Sequence, residues 1–78
     1  MYWMISHSPA YKAMLIRLKK GRQDAKLSQV TVAERLGRPQ SYVSKSENGE
    51  RRVDPTELAE FADLYGKSLD YFLGRKES

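Results

Sequence analysis

The chain contains no cysteine and only one histidine, His7. The absence of cysteine excludes disulfide bonds, cysteine-based zinc sites and thiol catalysis, and a lone histidine argues against a metal site or a proton relay. No apolar run approaches the roughly 20 residues that cross a bilayer, and the apolar residues 1–5 are too short for a signal peptide. We therefore expect a cytoplasmic protein that uses no cofactor or metal, contacts no membrane and is not an enzyme.

With 78 residues, the chain is long enough for one domain. We expect this domain to cover residues 9–74, between an N-terminal tail of residues 1–8 and a C-terminal tail of residues 75–78. Tyr2 and Trp3 are unusual in a tail, since large aromatic side chains are costly to leave in water. We expect them to pack on the domain itself, and a partner surface is the alternative.

Charge is distributed unevenly along the chain. Lys and Arg number 14 against 10 Asp and Glu, a net charge of +4, but residues 1–53 carry +7 and residues 54–78 carry −3. This asymmetry is typical of a protein with one face for a polyanion such as nucleic acid.

Helix caps and apolar spacing predict five short helices and no β-strand. Serine, aspartate or proline opens each helix, and glycine closes four of them. The predicted helices cover residues 9–25, 28–36, 39–48, 55–65 and 69–73. The sequence thus predicts an all-α fold, a compact five-helix bundle.

The second and third helices are separated only by Gly37 and Arg38. A tight turn with glycine between two short helices is typical of a helix-turn-helix, and Ala33 is small enough for the point where the helices cross. An ordinary helical hairpin is the alternative interpretation.

The outer face of the third helix carries polar side chains and no acid. If Val43 and Ser46 point inward, four residues point outward as candidate base contacts: Gln40, Ser41, Ser44 and Lys45. Glutamine matches the edge of adenine, lysine matches guanine, and serine lets the backbone approach the groove wall. Candidate phosphate contacts surround them: Gln29, Arg38, Asn48, Arg51 and Arg52.

Arg22 and Glu47 each lie on the apolar stripe of a helix. Because an isolated buried charge is costly, two opposite charges on inward faces predict an ion pair between the first and third helices.

Several short motifs occur together over residues 18–73: Arg22, Leu27-Ser28-Gln29, Val32-Ala33 with Leu36-Gly37, Val43-Ser44-Lys45, Glu47-Asn48-Gly49, Leu58 and the segment 68–73. In these residues the chain resembles the Cro/phage-repressor-type helix-turn-helix domains, also called the Xre type. The glutamate-asparagine-glycine that follows the helix-turn-helix is a fairly specific part, and the combination is strong.

The resemblance implies a lambda-repressor-like domain in which helices 2 and 3 form the helix-turn-helix and helix 3 enters the major groove of double-stranded DNA. It implies a sequence-specific transcriptional regulator, and more specifically a repressor. The regulator would act as a homodimer on a palindromic operator. Its expected setting is bacterial or phage-type and nucleoid-associated. By position, Gln29 and Asn48 match phosphate contacts, and Arg22 and Glu47 match a structural ion pair.

Three residues depart from the family pattern, and the mildest departure is Val32, which stands where leucine is usual. Ser46 lies where the family usually has an aliphatic or aromatic core residue, so we expect Ser46→Leu to raise stability. Lys26 replaces a glycine that often precedes Leu27.

Other interpretations remain open at this stage. The chain could be an antitoxin or another protein-interaction module that binds DNA mainly together with a partner protein, whereas an enzyme has little support. The dimer interface is expected at Leu69, Phe72 and Leu73, with ordinary core packing of these residues or a clasp by Tyr2 and Trp3 as alternatives.

Overall fold

The computed structural model describes residues 8–75. The expectations for Tyr2, Trp3 and residues 76–78 lie outside this range. Five α-helices form within it: α1 Pro9–Asp24, α2 Gln29–Leu36, α3 Gln40–Asn48, α4 Pro55–Tyr65 and α5 Leu69–Leu73. The prediction of an all-α, five-helix fold is confirmed for the described residues.

Four helices begin at the side-chain caps that the sequence predicts. The hydroxyls of Ser8, Ser28 and Ser68 each accept a hydrogen bond from the backbone N–H three residues later. Asp54 accepts from the N–H of Glu57 at 2.8 Å, and the Glu57 carboxylate accepts from the N–H of Asp54 at 3.1 Å. This reciprocal capping box fixes the start of α4.

The helix α3 begins one residue later than predicted, because Pro39 is its extended N-terminal cap with φ −64° and ψ 153°. The carbonyl of Pro39 accepts a hydrogen bond from the N–H of Tyr42 at 3.0 Å. Before it, Gly37 closes α2 with φ 68°, a conformation that side chains other than glycine resist. Lys26 adopts a similar positive φ of 61° in the loop between α1 and α2.

The core lies where α1 packs against α3, α4 and α5, and α2 packs against α3. Its fully buried side chains are Leu18, Val32, Val43, Ser46, Phe61 and Phe72. A Cβ atom on Gly21 would lie 3.2 Å from the ring of Phe72 and 3.4 Å from that of Tyr65. Glycine at position 21 therefore allows α1 to approach α4 and α5 closely, which offsets its low helix propensity.

The three residues expected at a dimer interface do not share one environment. Phe72 is fully buried in the core, whereas Leu69 and Leu73 remain 43% and 50% exposed. Core packing therefore accounts for Phe72 alone.

Candidate nucleic-acid interface

The outer face of α3 is polar and lacks an exposed carboxylate. Gln40, Ser41 and Lys45 are exposed, and Ser44 is half-buried. Glu47 is the one acidic residue of α3, and its side chain is only 4% exposed. The four predicted base-contact residues thus occupy a face that offers hydrogen-bond donors, acceptors and one positive charge.

A hydrogen-bonded ion pair joins α3 to the end of α1. The Nε and Nη2 atoms of Arg22 donate to the two oxygens of Glu47 at 2.6 and 3.1 Å. A third guanidinium nitrogen, Nη1, donates to the carbonyl of Leu27 at 3.0 Å. The hydrogen bonds to Glu47 raise the pKa of Arg22 above its ordinary value. The structure thus joins Arg22 and Glu47, the two charged residues that the sequence pattern predicted on the inward faces of α1 and α3.

Gln29 connects this ion pair with the candidate base-contact face. Its Nε2 atom donates to Glu47 at 3.0 Å, and its Oε1 atom accepts from Nε2 of Gln40 at 3.5 Å. Gln29 is also the first residue of α2, where backbone N–H groups without helical partners are suited to an anion.

Arg38 and Arg51 both lie over the ring of Tyr42, with Cζ 4.5 and 4.3 Å from the ring centroid. Arg38 approaches Glu57 at 4.0 Å and Glu60 at 3.7 Å. Burial of the Tyr42 side chain raises the pKa of its phenol. Two predicted phosphate contacts therefore share a cluster with carboxylates of α4.

Arg51 is the more tightly held of the two arginines. Its Nη1 and Nη2 atoms donate to the two oxygens of Glu57 at 3.0 and 2.9 Å. Nη1 also donates to the hydroxyl of Ser46 at 3.3 Å. The hydrogen bonds between Arg51 and Glu57 raise the pKa of Arg51 and lower the pKa of Glu57. The charge of Arg51 is thus largely compensated within the protein.

Asn48 and Arg52, also predicted to contact phosphates, are both exposed. The Asn48 amide donates to the Glu50 carboxylate at 2.6 Å and accepts from the N–H of Glu50 at 3.0 Å, so it closes a local turn. The guanidinium of Arg52 lies 5.1 Å from the ring centroid of Tyr11 on α1. Arg52 therefore sits beside α1 rather than within the Arg38–Arg51 cluster.

The sequence analysis did not include Tyr42 or Glu57 among the candidate site residues. Tyr42 is four residues before Ser46, and this helical spacing places both on the buried face of α3. The carbonyl of Tyr42 accepts a hydrogen bond from the Ser46 hydroxyl at 2.6 Å. Ser46 therefore has a donor and an acceptor as partners, which removes the reason to expect that leucine would be more stable there.

Among residues 8–75, no helix is long and apolar enough to span a membrane. Within the same residues, no group of His, Cys, Asp or Glu side chains is arranged to hold a metal ion.

Two comparisons with known proteins found a match. A family model described as helix-turn-helix matches residues 18–72. The HTH-type transcriptional regulator ImmR of Bacillus subtilis (strain 168) is 38% identical over 61 residues, which are 78% of this chain and 48% of the regulator. The chain thus spans about half the length of this relative. No solved structure matches the chain.

Proposed function

Because the chain belongs to the Cro/C1-type helix-turn-helix family, the Xre family, we propose that it binds duplex DNA sequence-specifically and represses transcription. Membership of this family agrees with the expectation that the domain is not an enzyme. The observation that carries the proposal is the exposed face of α3, which presents amide, hydroxyl and ammonium groups without an exposed acid.

In this proposal, α3 enters the major groove and four side chains meet base edges: Gln40, Ser41, Ser44 and Lys45. A glutamine amide can pair with adenine, and a lysine ammonium with guanine. The Arg22–Glu47 pair holds the end of α3 against α1, so it positions the reading face without touching DNA.

Phosphate contacts fix the register of the domain on the duplex. We assign them to Gln29 at the start of α2, to Arg38, to Asn48 and to Arg52. Arg51 joins this set only if a phosphate shares its guanidinium with Glu57, because both terminal nitrogens already bond to that carboxylate.

We further propose a homodimer on a palindromic operator in the cytoplasm, in a bacterial or phage-type, nucleoid-associated setting. A single helix-turn-helix contacts few base pairs, and two half-sites one helical turn apart supply the affinity that an operator requires.

The test is selection of bound duplexes from a random DNA pool with the purified chain at near-physiological salt. Enrichment of a two-fold symmetric motif is expected, with half-sites separated by about 10 base pairs. Salt-sensitive binding to every duplex without enrichment would contradict sequence-specific reading. Binding only in the presence of a co-purifying protein would favour the partner-dependent module instead.

Lys45→Ala then tests the assignment of base contacts. We expect it to cost about 1–3 kcal/mol of binding free energy and to relax the preference at one position of the motif. Lys12→Ala, which removes an exposed lysine of α1, is the matched control and should leave the motif unchanged. Equal loss of affinity for all sequences in Lys45→Ala would identify Lys45 as a phosphate contact.

A further inference from the structure

An apolar groove of about 480 Å³ lies between the first half of α1, the loop before α4, and α5. Its apolar lining comes from Tyr11, Met14, Val53, Pro55, Leu58, Leu69 and Leu73. Leu69 and Leu73 form its most open side, at 43% and 50% exposure. Grooves of this volume accommodate one or two large side chains or a drug-sized ligand.

The N-terminal end of α1 lies beside this groove. Tyr11, which lines the groove, is the third residue of α1, and Ser8 is the extended cap residue before the helix. Residues 1–7 therefore connect to the domain within one helical turn of the groove. Fully extended, seven residues span up to about 25 Å, whereas the five residues of α5 are only about 8 Å long. The segment is long enough to reach Leu69 and Leu73.

The composition of this segment matches the groove. Residues 2–5 are Tyr, Trp, Met and Ile, and residues 1–7 contain no Asp, Glu, Lys or Arg, in a chain that is 31% charged. One large aromatic side chain buries roughly 150–250 Å² when it packs. Docking would therefore take no charged side chain of residues 2–5 out of water, and the charged residues that line the groove are Arg52 and Asp54.

We propose that residues 2–5 pack into this groove of their own chain and cover Leu69 and Leu73. A short tether holds a segment near its site at an effective concentration in the millimolar range, which favours the chain's own segment over that of a second copy. A dimer formed through α5 would then have to displace the segment first.

Trp3 provides a direct readout, because it is the only tryptophan of the chain. The test measures its emission maximum and its quenching by acrylamide in the full chain without DNA, so the result is independent of the proposed DNA binding. Leu73→Glu places a charge in the groove at a half-exposed position and should leave the fold intact. Ile16→Glu is the matched control, since Ile16 is 69% exposed and does not line the groove.

We expect blue-shifted, shielded emission in the unaltered chain that does not change on dilution. Leu73→Glu should shift the emission to the red and increase quenching, whereas Ile16→Glu should change neither. Emission typical of tryptophan in water in the unaltered chain would overturn the proposal, as would an equal response to both variants. Emission that turns red on dilution, together with a dimer in sedimentation, would identify a second copy as the occupant.

Discussion

Replacing Arg22 by methionine should cost more stability than replacing Arg22 and Glu47 together. The two side chains are only 11% and 4% exposed. In Arg22→Met, Glu47 keeps one side-chain partner, Gln29, and loses both hydrogen bonds from the guanidinium. A buried charge that loses its partner costs about 3–5 kcal/mol. Glu47→Met leaves Arg22 with the carbonyl of Leu27 alone, so its expected cost is similar.

The double variant contains no unpaired charge. It leaves the Leu27 carbonyl and the Gln29 amide short of a partner, at about 1–3 kcal/mol for each group that stays dry. The two buried methionine side chains offset part of this cost. We therefore expect a net loss of about 1–2 kcal/mol in the double variant, well below either single substitution.

Urea unfolding followed by circular dichroism measures all four proteins of this cycle. At about 0.05–0.15 kcal/mol per residue, the whole domain is stable by roughly 4–12 kcal/mol, so either single variant can lose much of its stability. The exposed pair Lys20–Asp24, at 3.6 Å, is the control cycle and should show a coupling of about 0.3–0.5 kcal/mol. Additive losses at Arg22 and Glu47 would refute the reasoning.

Three further substitutions test local features of the fold by the same unfolding measurement. Ser46→Leu should lower stability by about 1–3 kcal/mol, because it overpacks a fully buried position and removes a hydroxyl that accepts a hydrogen bond from Arg51. Lys26→Gly should raise stability by about 1 kcal/mol, because Lys26 has φ 61°. The pKa of Glu57 is lowered in the folded state, so ionised Glu57 stabilises the fold. This stabilisation is fully present at pH values above the unfolded pKa of about 4.3. This stabilisation is lost as the pH falls through the folded pKa, and Glu57→Gln should remove that part of the acid dependence.

Each of these predictions has its own contradicting result. A higher stability of Ser46→Leu would mean that the hydroxyl is poorly satisfied. Lys26→Ala keeps the strained backbone and should show no comparable gain, so an equal gain would exclude strain as the cause. If stability fell with decreasing pH in the same way in Glu57→Gln, the hydrogen bonds between Glu57 and Arg51 would not contribute to stability.

The helices were predictable because their boundaries depend on neighbouring residues. A serine or aspartate cap acts on an N–H three residues away, and glycine with positive φ ends a helix at its own position. Pro39 shows the limit of this local reasoning. Proline is compatible with both the first helical position and the extended cap, and the bond from Tyr42 to its carbonyl is made in the cap position.

The contact between Arg22 and Glu47 was predictable although 25 residues separate them, because burial leaves a charge few alternatives other than an opposite charge. The cluster around Tyr42 was not predictable from the sequence. The sequence analysis treated Arg38 and Arg51 as candidate phosphate contacts, and their carboxylate partners lie on α4. Exposed or half-exposed charges have water as an alternative partner, so their pairing follows only from the position of α4 beside the two segments that carry the arginines.

This pairing changes how the charge asymmetry of the chain should be understood. The net charges of +7 and −3 along the sequence suggest a basic face separate from an acidic one, yet Glu57 and Glu60 meet Arg38 and Arg51 in space. If Arg38, Arg51 and Arg52 each neutralised one phosphate per half-site, the affinity would fall with salt at a log–log slope of about −2.7. Each arginine that stays with its glutamate reduces that slope by about 0.9. The steepness of the salt dependence of DNA binding would therefore report whether these arginines exchange carboxylate for phosphate, while the base contacts that we propose for α3 involve side chains outside this cluster.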